Sequence, residues 1–145
     1  MSAPSVDMKD VLVADGVGVF GATSGSAIYL GEAPDQPNLC TTLFDRTVRQ
    51  PLMPISELGP GPIEKSVEFP AIQIQCRAID YAAAYAKARE VVNSLVHRAS
   101  FTNVAGDYKY LCITQQSDPL HIGEDDKNRQ IFSLNIMAQR TPIIP

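Results

Sequence analysis

The feature that most constrains this chain is a strict alternation from Ala71 to Ile79 that gives way at Asp80 to a long helical pattern. Ile72, Ile74, Cys76 and Ala78 fall on one face and Gln73, Gln75 and Arg77 on the other, the two-residue period of a half-buried strand. Pro70 sets where pairing of that strand can begin, because proline has no N–H to donate. Asp80 suits the N-cap of a helix running from Tyr81 to about Arg98, whose apolar stripe is Tyr81, Ala84, Tyr85, Ala88, Val91, Val92, Leu95 and Ala99. Lys87, Arg89, Glu90, Asn93 and Arg98 are expected on the outer face. His97 and Arg98 are expected in the last turn, where positive charge complements the helix dipole. Alanines at 82, 83, 84, 86 and 88 keep the helix slim enough to lie close on a sheet. A strand feeding such a helix commits the chain to a layer of each.

The flanking sequence fills in that architecture. Ser5 is expected to cap a short N-terminal helix with Asp7 in its first turn, Met8, Val11 and Leu12 at helical spacing, and Gly16 and Gly18 ending it. Glycines at 16, 18, 21 and 25 predict turns, and Ala27–Leu30 and Leu39–Phe44 predict short strands around a loop holding Pro34 and Pro37. Phe101–Ala105, a tight turn at Gly106 and Asp107, and Tyr108–Gln115 predict a hairpin. Pro119 and Gly123 frame a further loop with residues 124–129 at a solvated tip. Ile131–Gln139 then alternates again with Phe132, Leu134, Ile136 and Ala138 inward. The expected fold class is α+β, an antiparallel or mixed sheet of about four to five strands with one long helix packed on a face and a short N-terminal helix. At 145 residues, 45% of them hydrophobic, residues 1–145 are expected to form one domain. Seven of the eleven prolines lie between Pro34 and Pro70, so residues 49–65 are expected to be a Pro/Gly-rich loop or arm that orders against a partner.

Charge and composition exclude several functions. The net charge of −4 argues against a broad basic face for nucleic acid, since such binding rests on phosphate neutralisation. The excess acidity lies in residues 1–66, with eight acidic against four basic side chains, while residues 67–145 balance at eight and eight. No apolar run reaches membrane-spanning length and no leader is recognisable, so a soluble, unsecreted protein without a membrane partner is expected. Cys40, Cys76 and Cys112 fit no zinc spacing and read as small buried hydrophobes.

No catalytic set emerges, and neither a cofactor nor a metal is expected. The two histidines, His97 and His121, read as a dipole-compensating residue and an interface residue, and neither adjoins a nucleophile motif. Glu124, Asp125 and Asp126 lack EF-hand spacing, and Lys127 and Arg129 would repel a cation. Gly16, Gly18 and Gly21 follow a helix without a Gly-Lys-Ser/Thr, so they read as turns rather than a phosphate loop. Tyr81, Tyr85, Tyr108 and Tyr110 lack the cationic rails of a base-stacking groove and read as packing residues.

Three blocks carry a resemblance. Residues Phe69 to Tyr85 (FPAIQIQCRAIDYAAAY) form one strand-to-helix block. Ile28-Tyr29-Leu30-Gly31 leads through Pro34-Asp35 to Leu43-Phe44 as a second. The third runs from Gln115-Gln116-Ser117-Asp118-Pro119 through Ile122-Gly123, Asp125-Asp126 and Asn128-Arg129 to Phe132-Ser133-Leu134-Asn135. In this order they resemble the bacteriophage minor capsid or tail-terminator (tail-completion) family across most of residues 27–140. The resemblance implies a structural, non-enzymatic protein of the virion neck, assembled in the host cytoplasm. It implies a ring, commonly of six subunits, that caps the tail tube, stops its polymerisation, meets the head connector and leaves a lumen for DNA. A head-completion or stopper protein at the same joint is the alternative, and a small hydrolase or ligand-binding domain the alternative of another class. Subunit-interface candidates are Lys87, Arg89, Arg98, His121, Asp125 and Arg129, where opposite charges would set register.

Overall fold

The computed structural model describes residues 2–49, 67–96 and 98–143. The elements in chain order are α1 (Pro4–Ala14), β1 (Val19–Phe20), β2 (Ala27–Leu30), β3 (Cys40–Arg49), β4 (Phe69–Ala78), α2 (Tyr81–Leu95), β5 (Phe101–Thr102), β6 (Tyr108–Gln115), β7 (Leu120–Glu124) and β8 (Gln130–Pro142). The strands make one mixed sheet in the order β1-β2-β3-β4-β8-β6-β5. β1, β2 and β3 run parallel, and the remaining pairs are antiparallel. β7 pairs with Gln130–Ser133 of β8, while β6 pairs with Ile136–Pro142, so β6 and β7 lie end to end along one edge of β8.

The alternating strands meet with their apolar faces in register. Ile74 of β4 stands opposite Leu43 of β3 on one side and Leu134 of β8 on the other, and all three are fully buried. Both helices cover this face. Met8 and Leu12 of α1 and Ala84, Ala88, Val91 and Leu95 of α2 join Ile72, Phe132, Ile136 and Ala138 in one core. Complete burial of a side chain such as Ile74 contributes about 1.5–3 kcal/mol, and the small alanines let α2 sit close on β4 and β8. Gly18 is needed where β1 approaches β2, because a Cβ there would come within 2.9 Å of Ile28 Cγ1. Gly16, at φ +75°, closes α1 in the left-handed region.

The α+β class holds, while the element count does not. The sheet has eight strands rather than four or five. The strands not expected are short ones that turn residues conceal: β1 lies among glycines and β7 lies where Pro119 and Gly123 predicted a loop, while the expected Phe101 arm of the hairpin is present as the two-residue β5. Ser5 is not the cap of α1. Ala3 holds the N-cap position, and the Asp45 carboxylate of β3 accepts from Ser5 N (2.8 Å) and Ser5 Oγ (2.6 Å), satisfying an end N–H from a distant strand. Asp80 does take the N-cap position of α2, with extended backbone, but its side chain makes no capping bond; its carbonyl accepts from Ala84 N at 2.9 Å.

α2 stops at Leu95, so Arg98 lies beyond it and Ala99 is exposed rather than on the stripe. Cys40 and Cys76 are buried, and burial pushes the Cys76 thiol up to about 12, whereas Cys112 is only half-buried. Tyr108 and Tyr110 are buried, but Tyr81 and Tyr85 are exposed. Arg49, the first residue of the expected arm, ends β3, and His97 and residues 50–65 of that arm lie outside the described residues.

Candidate assembly surface

At the N-terminal end of β8, the chain locks two loops together. Arg129, buried just before β8, donates through Nε to Asp125 Oδ2 at 2.7 Å, and its backbone N–H reaches Asp125 Oδ1 at 2.9 Å. Its NH1 also reaches across to the Asp35 carbonyl, and its NH2 lies 3.4 Å from the Asp35 carboxylate. Lys127 pairs with that same carboxylate. From β4, Arg77 donates to the carbonyls of Pro34 (2.7 Å), Pro37 (2.8 Å) and Asn38 (3.3 Å). The hairpin tip is therefore no simple solvated turn; it is a latch that fixes the loop between β2 and β3. Burial pushes the Asp125 carboxyl up, but bonds from the Arg129 and Lys127 backbones and the Arg129 side chain outweigh it and hold it below the usual range. The Lys127 bond likewise lowers Asp35.

The remaining candidates are scattered. Lys87 is not on an outer face: it is buried, and its ammonium donates to the Val17 carbonyl at 2.9 Å and to Glu90 at 3.0 Å. The signal for this was present, since Lys87 is three residues after Ala84 and four before Val91 on the buried stripe. Arg89 is half-buried on α2. Arg98 bonds Asp15 at 2.7 Å, so the acidic partner expected from a neighbouring subunit is supplied within the chain. The Ser94 hydroxyl and Arg98 together lower the Asp15 pKa. His121 is exposed on β7, with Nε2 2.8 Å from Gln130 Oε1 and its ring 5.0 Å from Tyr81 and 5.3 Å from Phe132.

One group was missed altogether. Asp7, expected only as a residue of the first turn of α1, is buried; it accepts from Tyr110 Oη (2.6 Å), Ser2 Oγ (2.6 Å) and Asn103 Nδ2 (3.0 Å), and Arg140 lies 3.8 Å away. Arg140 also donates to Glu68 at 2.8 Å and lies 3.8 Å over the Tyr108 ring. Burial first, then the bond to Asp7, pushes the Tyr110 phenol well up, keeping it a donor. A cavity of about 200 Å³ beside this group is lined by Asp7, Asp10, Arg98, Phe101 and Asn103 among others. Its charged and amide side chains, Asp7, Asp10, Arg98 and Asn103, already bond within the chain, and neither histidine nor cysteine lines it.

Large apolar side chains are exposed at several places, Val104 between β5 and β6 most of all, and two groups of them lie by the edges of the sheet. Val13, Val19 and Phe20 are exposed at the β1 edge, and Ile79, Tyr81, Leu120 and Ile122 around β7. Among the described residues no helix is long and apolar enough to cross a membrane, and no three His, Cys, Asp or Glu side chains cluster to hold a metal.

Among the described residues, ion pairs are spent on internal latches while apolar side chains stand exposed by the strand edges. The chain belongs to the bacteriophage tail terminator protein family, which matches residues 12–142. That family is structural, a virion tail component rather than an enzyme family. The fold is shared with a chain from a solved structure titled "Virion of native gene transfer agent (GTA) particle", with a TM-score of 0.66 and 16% identity over 97% of this chain and 96% of that one. No curated protein sequence matches the chain.

Proposed function

We propose that the chain forms a ring at the head-proximal end of the tail tube, ends tube polymerisation there, and joins the tube to the head connector. The observation that carries this reading is the tail terminator family match across residues 12–142. In this reading six copies assemble in the host cytoplasm, contact the tube protein on one face and the connector or stopper on the other, and leave a lumen through which DNA passes. Arg89 and His121, which keep surface of their own, are the charged and aromatic contacts of the interface. Lys87, Arg98, Asp125 and Arg129 serve it indirectly, by holding the loops and the α2 end in one shape. Rings need two unlike patches on each subunit so that rotation closes, and an α+β layer with two separate strand edges supplies them.

Phage lacking the protein are expected to yield filled heads without attached tails, together with tails of unregulated length. Mutants that make tails of normal length and only leak DNA from their heads would replace the terminator reading with the stopper reading.

A further inference from the structure

The ring reading leaves open which surfaces meet, and the sheet order narrows the choice. β1 is the first strand of the sheet path, while the β6–β7 line stands on the far side of β8, so the two edges face away from each other. Neither is closed. β1 pairs only with β2, and β5 covers β6 only at Tyr110 and Lys109, leaving Leu111–Gln115 and all of β7 without a strand on their outer side among the described residues. Open strand edges are pairing surfaces that proteins ordinarily blunt or cover.

Both edges carry apolar side chains in place of blunting charges. At the first edge Val19 is 62% and Phe20 50% exposed, and Val13 of α1 stands beside them on the helix face it shares with Lys9, whose ammonium lies 4.8 Å over the Phe20 ring. At the second, Leu120 is 66% exposed and Ile122, the unpaired residue of a bulge in β7, 50% exposed, while Tyr81 stacks edge-on against His121. Exposed clusters of this kind mark interaction sites. Charge plays little part at either edge: Lys9 is mostly covered, its ammonium on Asp10 at 2.6 Å and over the Phe20 ring, and the exposed Glu124 carboxylate of β7 accepts from Gln130 at 2.9 Å.

We infer that the ring closes head to tail, the β1 edge of one copy (Val13, Val19, Phe20) seating on the β7 edge of the next (Tyr81, Leu120, Ile122). This rests on the ring reading above and names the two patches it requires. A single patch meeting itself would give a closed dimer; two patches on opposite sides of one sheet give a chain of subunits whose rotation can return to its start.

The test uses two full-length variants, Phe20→Asp and Leu120→Asp combined with Ile122→Asp, each checked for an unchanged thermal melt. Native mass spectrometry of the wild type should show the ring, and each variant alone should lose at least about tenfold of it, the effect expected of an interface anchor placed in the contact. Mixed together, the two variants each retain one good edge, and those edges are complementary: the mixture should give a one-to-one heterodimer that grows no further. Rings that persist in either folded variant, or a mixture that stays monomeric, overturn the assignment of these edges while the ring itself stands. A wild-type chain that is monomeric both alone and with tube protein overturns the ring reading instead.

Discussion

β8 carries a buried guanidinium at each end, and the two are used differently. Arg140, near its C-terminal end, meets Asp7 and Glu68, both largely buried, with Tyr110 and Asn103 completing the carboxylate's bonds. Arg129, at the other end, meets Asp125, as covered as Glu68, and Asp35, whose carboxylate stands in water, so the difference between the ends lies in Asp7 against Asp35. The first cluster ties α1, the chain's start and the β5–β6 hairpin into the core. The second holds a loop against a hairpin tip. A carboxylate in the interior cannot be left alone, whereas one at the surface is solvated when its partner is removed, so the first cluster governs whether the chain folds and the second governs the shape of one end.

That contrast sets the order of expected effects. Arg140→Ala leaves the buried Asp7 carboxylate its three hydrogen-bond donors but no counter-charge, frees Glu68 of its partner, and is expected to cost about 3–5 kcal/mol in denaturant unfolding. A loss under about 1 kcal/mol would mean that water replaces the guanidinium and that the two ends are alike. Arg129→Ala removes the latch and is expected to cost about 1–3 kcal/mol, with faster amide exchange confined to residues 31–39 and 124–129. Lys127→Ala, an exposed pair, should leave the unfolding midpoint within error of the wild type.

Acid sharpens the same comparison. The Asp125 and Asp35 carboxyls sit below their ordinary value of 3.8 in the folded chain. Their stabilisation is therefore fully present above that value and is lost as pH falls through the lowered folded values. Unfolding midpoints measured from pH 5 downward should fall below about pH 4, and Asp125→Asn should flatten part of that fall. An identical acid profile in Asp125→Asn would remove the latch from the account.

Much of this was readable from residue order, and the failures have physical causes. The Ala71–Ile79 alternation and the α2 stripe lead directly to the central strand and its covering helix, because two periods side by side admit few arrangements. Lys87, Asp7 and Arg140 each occupy a position of the buried periodicity, at 84/87/91, 7/8/11 and 136/138/140; Lys87 was assigned by its charge, Asp7 only to a first turn, and Arg140 to nothing. Their burial depends on partners far away in the chain, such as the Val17 carbonyl and Tyr110, which no local pattern announces. β1 and β7 escaped because a two-residue strand among glycines, and a five-residue strand beside Pro119, look like turns until β2 and β8 are there to pair them. The six charged or aromatic interface candidates came from residue type and an expected outer helix face; five of them, all but Arg89, bond within their own chain, and the apolar edges were not anticipated.

Tail termination itself is tested most directly on tube growth. Tube protein polymerising in solution, with tube lengths measured by electron microscopy as the chain is added, should give tubes that stop elongating and carry a ring of this protein at one end only. Tubes of unchanged length, or the protein bound along their walls, would contradict a terminator.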